Sequence, residues 1–160
     1  MARTPDPSEA EFVRRVREPR PKSTEPGRHR ARRSAMMLLY RTDLVGGDVE
    51  EAVAGFEGEH GFAMPEYAAQ VVRGVTDRQA ELDEAIGTHL QDWTVDRLGA
   101  VERAVLRIAM WELVTREVPA PVAIDEAVEL AKRYATPEAA KLVNGVLAGW
   151  LREHGTEEGQ

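Results

Sequence analysis

At 160 residues, with 42% hydrophobic and 6% aromatic content, the chain sets one domain with an aliphatic core as the expectation. It contains no cysteine, which excludes a disulfide framework, a thiolate zinc site and a thiol nucleophile. The formal net charge is −7, yet residues 14–33 carry nine Arg and Lys against two Glu; that net +7 leaves −14 for the other 140 residues.

Residues 1–27 hold five of the nine prolines (Pro5, Pro7, Pro19, Pro21, Pro26), many charges and few large apolar groups, so a disordered tail is expected there. Glu9 to Val16 could form a transient helical turn with nothing to bury. The start, MARTPDPSEAEFVRR, lacks the apolar stretch of a secretory signal. No apolar run approaches the roughly 18–20 residues that span a bilayer, and a soluble, cytoplasmic protein is expected.

From His29 the pattern turns helical. Ala35, Leu38, Leu39 and Thr42 recur at helical spacing, with Met36, Tyr40 and Leu44 beside them, until Gly46-Gly47 ends the helix. Asp48 reads as the cap of a second helix running to about His60, and Gly55, Gly58 and Gly61 as turn glycines around a GEHGFAM loop. Pro65 opens one long helix through about Leu90, weakened slightly by Gly74. Residues 92–97 add a short turn. The helix at about 99–116 has apolar rows Val101, Val105, Ile108 and Leu106, Met110, Leu113, with Glu102, Arg103, Arg107 and Glu112 toward its other side. VPAP (118–121) breaks it and places Pro121 in the first turn of the next helix, whose stripe is Ala123, Ala127, Leu130, Ala131 and Tyr134. Thr136-Pro137-Glu138 is a second start signal. The final stripe is Val143, Val146, Leu147, Trp150 and Leu151. The end, 155–160, should fray. No strand period appears. The sum is an all-α bundle of about six or seven helices over residues 28–154.

Cations packed as closely as in the basic arm repel one another and stay extended until a polyanion neutralises them. Arginine's planar fork of donors also matches phosphate. Arg14, Arg15, Arg17, Arg20 and Lys22 lie in the tail, whereas Arg28, Arg30, Arg32 and Arg33 sit where a folded helix can aim them. His29, His60, His89 and His154 are scattered, with no pair at ligand spacing, so no metal is expected. No Walker loop, nucleophile elbow or dinucleotide fingerprint occurs, and a non-enzyme without cofactor is expected. Trp93, Trp111 and Trp150 could stack on bases, but Trp111 and Trp150 fall near apolar stripes and read better as core. Asn144-Gly145 reads equally as a turn or as a helix interior with a close backbone contact at Gly145.

The segments ARRSAMMLLY (31–40), VERAVLRIAMWEL (101–113) and VPAPVAIDEAVELAKRYATPEAAKLVNGVL (118–147) resemble the NusB family of bacterial transcription antitermination factors over roughly residues 28–150. The resemblance implies an all-helical fold of two packed sub-bundles. It implies a non-enzymatic factor that binds the boxA element of ribosomal RNA leaders together with the NusE-type small-subunit ribosomal protein, within the RNA polymerase antitermination complex. By matched position, Arg28, Arg30, Arg32, Arg33, Lys141 and Leu142 would contact RNA, although many relatives carry an aromatic where Leu142 stands. Tyr40, Glu102 and Tyr134 would face the partner protein. The usual AINEA is AIDEA here, with Asp125 for the amide. Two other readings remain: a stand-alone ribosomal-RNA-binding helper that needs no NusE, and a homodimer whose arm binds RNA nonspecifically.

Overall fold

The computed structural model describes residues 26–155. The expectations for residues 1–25 and for those after Gly155 lie outside the described residues. Seven α-helices and one 3-10 turn account for the described chain: α1 (Pro26–Val45), α2 (Val49–His60), α3 (Glu66–Asp77), α4 (Gln79–Gly87), the turn at Val95–Arg97, α5 (Ala100–Thr115), α6 (Ala120–Tyr134) and α7 (Pro137–His154). α1 starts two residues before the expected boundary.

The helix ends follow local chemistry. Gly46 and Gly47 take φ of 76° and 104°, the left-handed region that favours glycine, and the Gly46 N–H closes on the Thr42 carbonyl at 2.8 Å. Asp48 occupies the N-cap position of α2, but its side chain makes no capping bond. Gly55 and Gly58 lie inside α2, and only Gly61 (φ 81°) ends it, correcting the reading of all three as turn glycines. Pro121 stands in the first turn of α6. Thr136 caps α7, its side chain accepting from the Ala139 N–H at 2.9 Å.

The long helix expected from Pro65 is two helices, broken at Arg78 (φ −118°, ψ 20°). The apolar stripe runs unbroken through Val75, Leu82 and Ile86, so nothing in the periodicity marks the break. Tertiary packing does: α3 lies on α1 and α5, whereas α4 lies on α5 and α7, and one straight rod cannot serve both.

α5 is the hub. It packs against α1, α3, α4, α6 and α7, and Ala104–Leu113 are buried without interruption. With α1–α3 on one side of it and α6–α7 on the other, the two expected sub-bundles share one central helix. The other side of α5, which carries Arg107 and Glu112, is covered too, and both residues are buried. Arg107 holds the Asp83 carboxylate with two bonds of 2.8 Å, and Glu112 is sealed inside. Trp111 is core, Trp150 is half-buried and Trp93 is 55% exposed. Asn144 and Gly145 lie within α7 and face outward, and a Cβ at Gly145 would meet open space. The close approaches between distant parts of the chain fall elsewhere: a Cβ on Gly74 would sit 2.2 Å from the Trp111 Nε1, and one on Gly149 2.9 Å from the His89 Nδ1.

Candidate nucleic-acid interface

Helical geometry divides the four arginines of α1. Residues four apart share a face, and so nearly do residues three apart, so Arg28 and Arg32 point one way and Arg30 and Arg33 another. Arg30 is exposed and Arg33 partly so, in line with Met37 and Arg41 along the outer side of the helix. Arg32 is 1% exposed. This corrects the expectation that it touches RNA, because its guanidinium is already committed inside the protein.

The commitment is a five-residue network joining four helices. Arg32 Nε donates to Glu112 Oε2 at 2.8 Å, and its Nη1 to Glu126 Oε1 at 3.0 Å. The Tyr67 hydroxyl donates to the same Glu112 oxygen at 2.5 Å. The His29 Nδ1 lies 2.6 Å from Glu126 Oε1, with the histidine itself buried. Burial pushes the Glu112 carboxyl above the usual carboxylate range, while Arg32 pulls it back. Burial, and next the Glu112 charge, push the Tyr67 phenol far above its ordinary value. Arg32 Nη2 and Glu112 Oε1 find no hydrogen-bond partner among the described residues. Desolvating this many charged groups offsets much of their mutual attraction.

Above this network, Arg28 lies across the Tyr67 ring, 4.3 Å from the guanidinium carbon to the centroid. Its Nη1 donates to the Glu117 carbonyl at 3.4 Å. The start of α1 is thus bolted to α3, α5 and α6, with Arg30 exposed and Arg33 partly exposed on its outer side. Sequence reasoning missed Tyr67, His29, Glu112 and Glu126 as components of the network. The available signal was a glutamate in the middle of the most apolar helix, a position that a buried carboxylate holds only with a partner.

The other expected residues are spread over the surface and core. Lys141 is exposed on α7, and Leu142 beside it is half-buried against the core. Tyr40 lines a small cleft of about 120 Å³ with Met37, Phe56 and His60. Glu102 is partly buried in the first turn of α5, which pushes its carboxyl upward. Tyr134 is buried in the core of α6, so its expected place on a partner-facing surface gives way to a packing role. Among the described residues no group of three His, Asp or Glu side chains could hold a metal ion.

The match to known proteins covers this whole body. The model of the NusB family matches residues 29–152. The chain belongs to the NusB family. A chain of the crystal structure of antitermination factors NusB and NusE in complex with double-stranded RNA is 33% identical to it. That match has a TM-score of 0.73 and covers 80% of this chain and 98% of the other. NusB of T. maritima, at 33% identity and TM-score 0.72, covers 82% and 94%. The solution structure of NusB from Aquifex aeolicus, at 34% identity and TM-score 0.70, covers 83% and 93%. The NusB-family match begins within the first turn of α1, so Arg30, Arg32 and Arg33 lie inside the matched region and Arg28 just before it. Residues 1–28 precede it.

Proposed function

We propose that this chain is an RNA-binding antitermination factor that holds a boxA-type element of ribosomal RNA leaders jointly with a NusE-type ribosomal protein, and so joins the RNA polymerase antitermination complex. Membership of the NusB family carries the reading, together with the relative solved with NusE and double-stranded RNA. The described residues add a cationic edge, Arg30 and Arg33, on the anchored start of α1. Arg30 and Arg33 take phosphates, with Lys141 and Leu142 as a second contact on α7. Arg32 acts as a positioning residue beneath them. Tyr40 and Glu102 serve the partner protein. Phosphate contacts set register, and bases are read by edge hydrogen bonds or stacking.

The test is fluorescence anisotropy of a labelled boxA RNA, a scrambled single strand and a duplex, each with and without the NusE-type protein, at two salt concentrations. Preference for boxA that strengthens with the partner is the expected result. Equal, salt-sensitive binding to all three, indifferent to the partner, would refute the reading and leave the arm a polyanion anchor. A boxA preference indifferent to the partner would favour the stand-alone helper instead.

A further inference from the structure

A cleft of about 680 Å³ opens where the C-terminal ends of α5 and α7 meet the start of α6. Its walls include Val118, Pro119, Pro121, Trp150 and Leu151, with Glu117 among the polar lining. The volume lies within the range that seats a ligand or a short peptide. One wall is preset: the Trp150 and His154 rings stack 4.6 Å apart and 13° from parallel.

The chain enters the fold beside this cleft. Arg28, two residues past the start of α1, reaches both the carbonyl and the carboxylate of Glu117, at 3.4 and 3.6 Å. The start of α1, which follows the first 25 residues, thus lies within one arginine side chain's reach of the cleft wall. Apart from Met1, their only large apolar residues are Phe12, Val13 and Val16, and these fall on one side of a helical turn within AEFVRRV. From Phe12 to Pro26 the chain can extend about 45 Å, ample for a fold-back.

We propose that residues 9–17 dock into this cleft within the same molecule, with Phe12, Val13 and Val16 against Val118, Trp150 and Leu151. Tethering supplies the affinity that so short a segment lacks, because a short linker gives an effective concentration of about millimolar. The charge agrees. The segment carries Arg14, Arg15 and Arg17 against Glu9 and Glu11, and residues 26–160 sum to −8, with Glu117 beside Arg116 on the cleft wall. Docking gathers these three arginines at the end of the molecule that carries Arg28 and Arg30, and so enlarges the cationic edge.

The cysteine-free sequence allows a clean test on the full chain. Ala10→Cys provides a single attachment point for a nitroxide spin label. The amide NMR signals of Val118, Leu151 and Gly155 are expected to lose intensity, while those of α2 keep theirs. Phe12→Asp in the same labelled chain is expected to cut the docked population by about tenfold or more, the factor that corresponds to losing one buried aromatic side chain. The signals should then return. Cleft signals untouched by the label, or a loss that persists with Phe12→Asp, would overturn the proposal. So would the same loss in a mixture of isotope-labelled chains and separately spin-labelled chains, because a second copy would then fill the cleft.

Discussion

Replacing Arg32 by Met should destabilise the fold by about 3–5 kcal/mol, the cost of stranding a buried charge. The magnitude follows from what remains. Glu112, 1% exposed, would keep only the Tyr67 hydroxyl as a donor, and its second oxygen already lacks one among the described residues. Glu112→Leu should cost less, about 2–3 kcal/mol, because Arg32 retains Glu126 at 3.0 Å. The pair Arg32→Met with Glu112→Leu should recover most of the loss, since neither charge is then stranded. Urea unfolding followed by tryptophan fluorescence measures all three, and a melting curve should show Arg32→Met lower by about 6–20 °C. The penalty should also depend on pH. Burial raises the Glu112 carboxyl and Arg32 opposes that rise, so without Arg32 the folded-state value climbs further above the unfolded one. Below the unfolded value of about 4.3 both states are protonated and the penalty is absent. It grows as pH rises from there to the folded-state value and then levels. The Arg32→Met deficit should therefore be larger near neutral pH than at about pH 4. A loss below about 1 kcal/mol, typical of a surface pair, or strictly additive losses in the paired variant, would refute the buried-network account.

Three further outcomes are expected. Arg30→Ala and Arg33→Ala should each reduce the salt slope of RNA binding by about 0.7–0.9 per lost phosphate contact, whereas Arg32→Met should leave the slope unchanged in whatever fraction remains folded. Gly74→Ala should destabilise by about 1–3 kcal/mol despite alanine's higher helix propensity, because its Cβ would collide with the Trp111 indole at 2.2 Å; thermal melts and a shift in Trp111 emission check this. Thr136→Ala should cost about 1 kcal/mol through loss of the bond to the Ala139 N–H, read by urea denaturation, with no change in the salt slope of RNA binding.

The fold was largely legible because six of the seven helices announce themselves through apolar periodicity and punctuation such as Gly46-Gly47, Val118–Pro121 and Thr136-Pro137. The break at Arg78 was not, because it lies in a continuous stripe and is imposed by two different neighbours. The close-contact glycines are equally hidden from the sequence. Asn144-Gly145 is conspicuous as a dipeptide, yet the tight long-range fits are at Gly74 and Gly149, where the constraint is a tryptophan or histidine far away in sequence. The same limit governs the arginines. Composition finds a basic run but cannot say which members face in, since the facing depends on Glu112 and Glu126, some 80 and 94 residues downstream.

The encirclement of α5 has a consequence for how the molecule responds as a whole. A helix whose ten successive residues from Ala104 to Leu113 are buried draws its cover from both halves of the protein, so neither half keeps a closed core when the other opens. Local opening on either side would expose α5, so the two halves are expected to unfold as one cooperative unit, with the amides of α5 exchanging last. Whatever binds at the start of α1 then also restrains α6 and α7, and a ligand of one face raises the stability of the other without touching it.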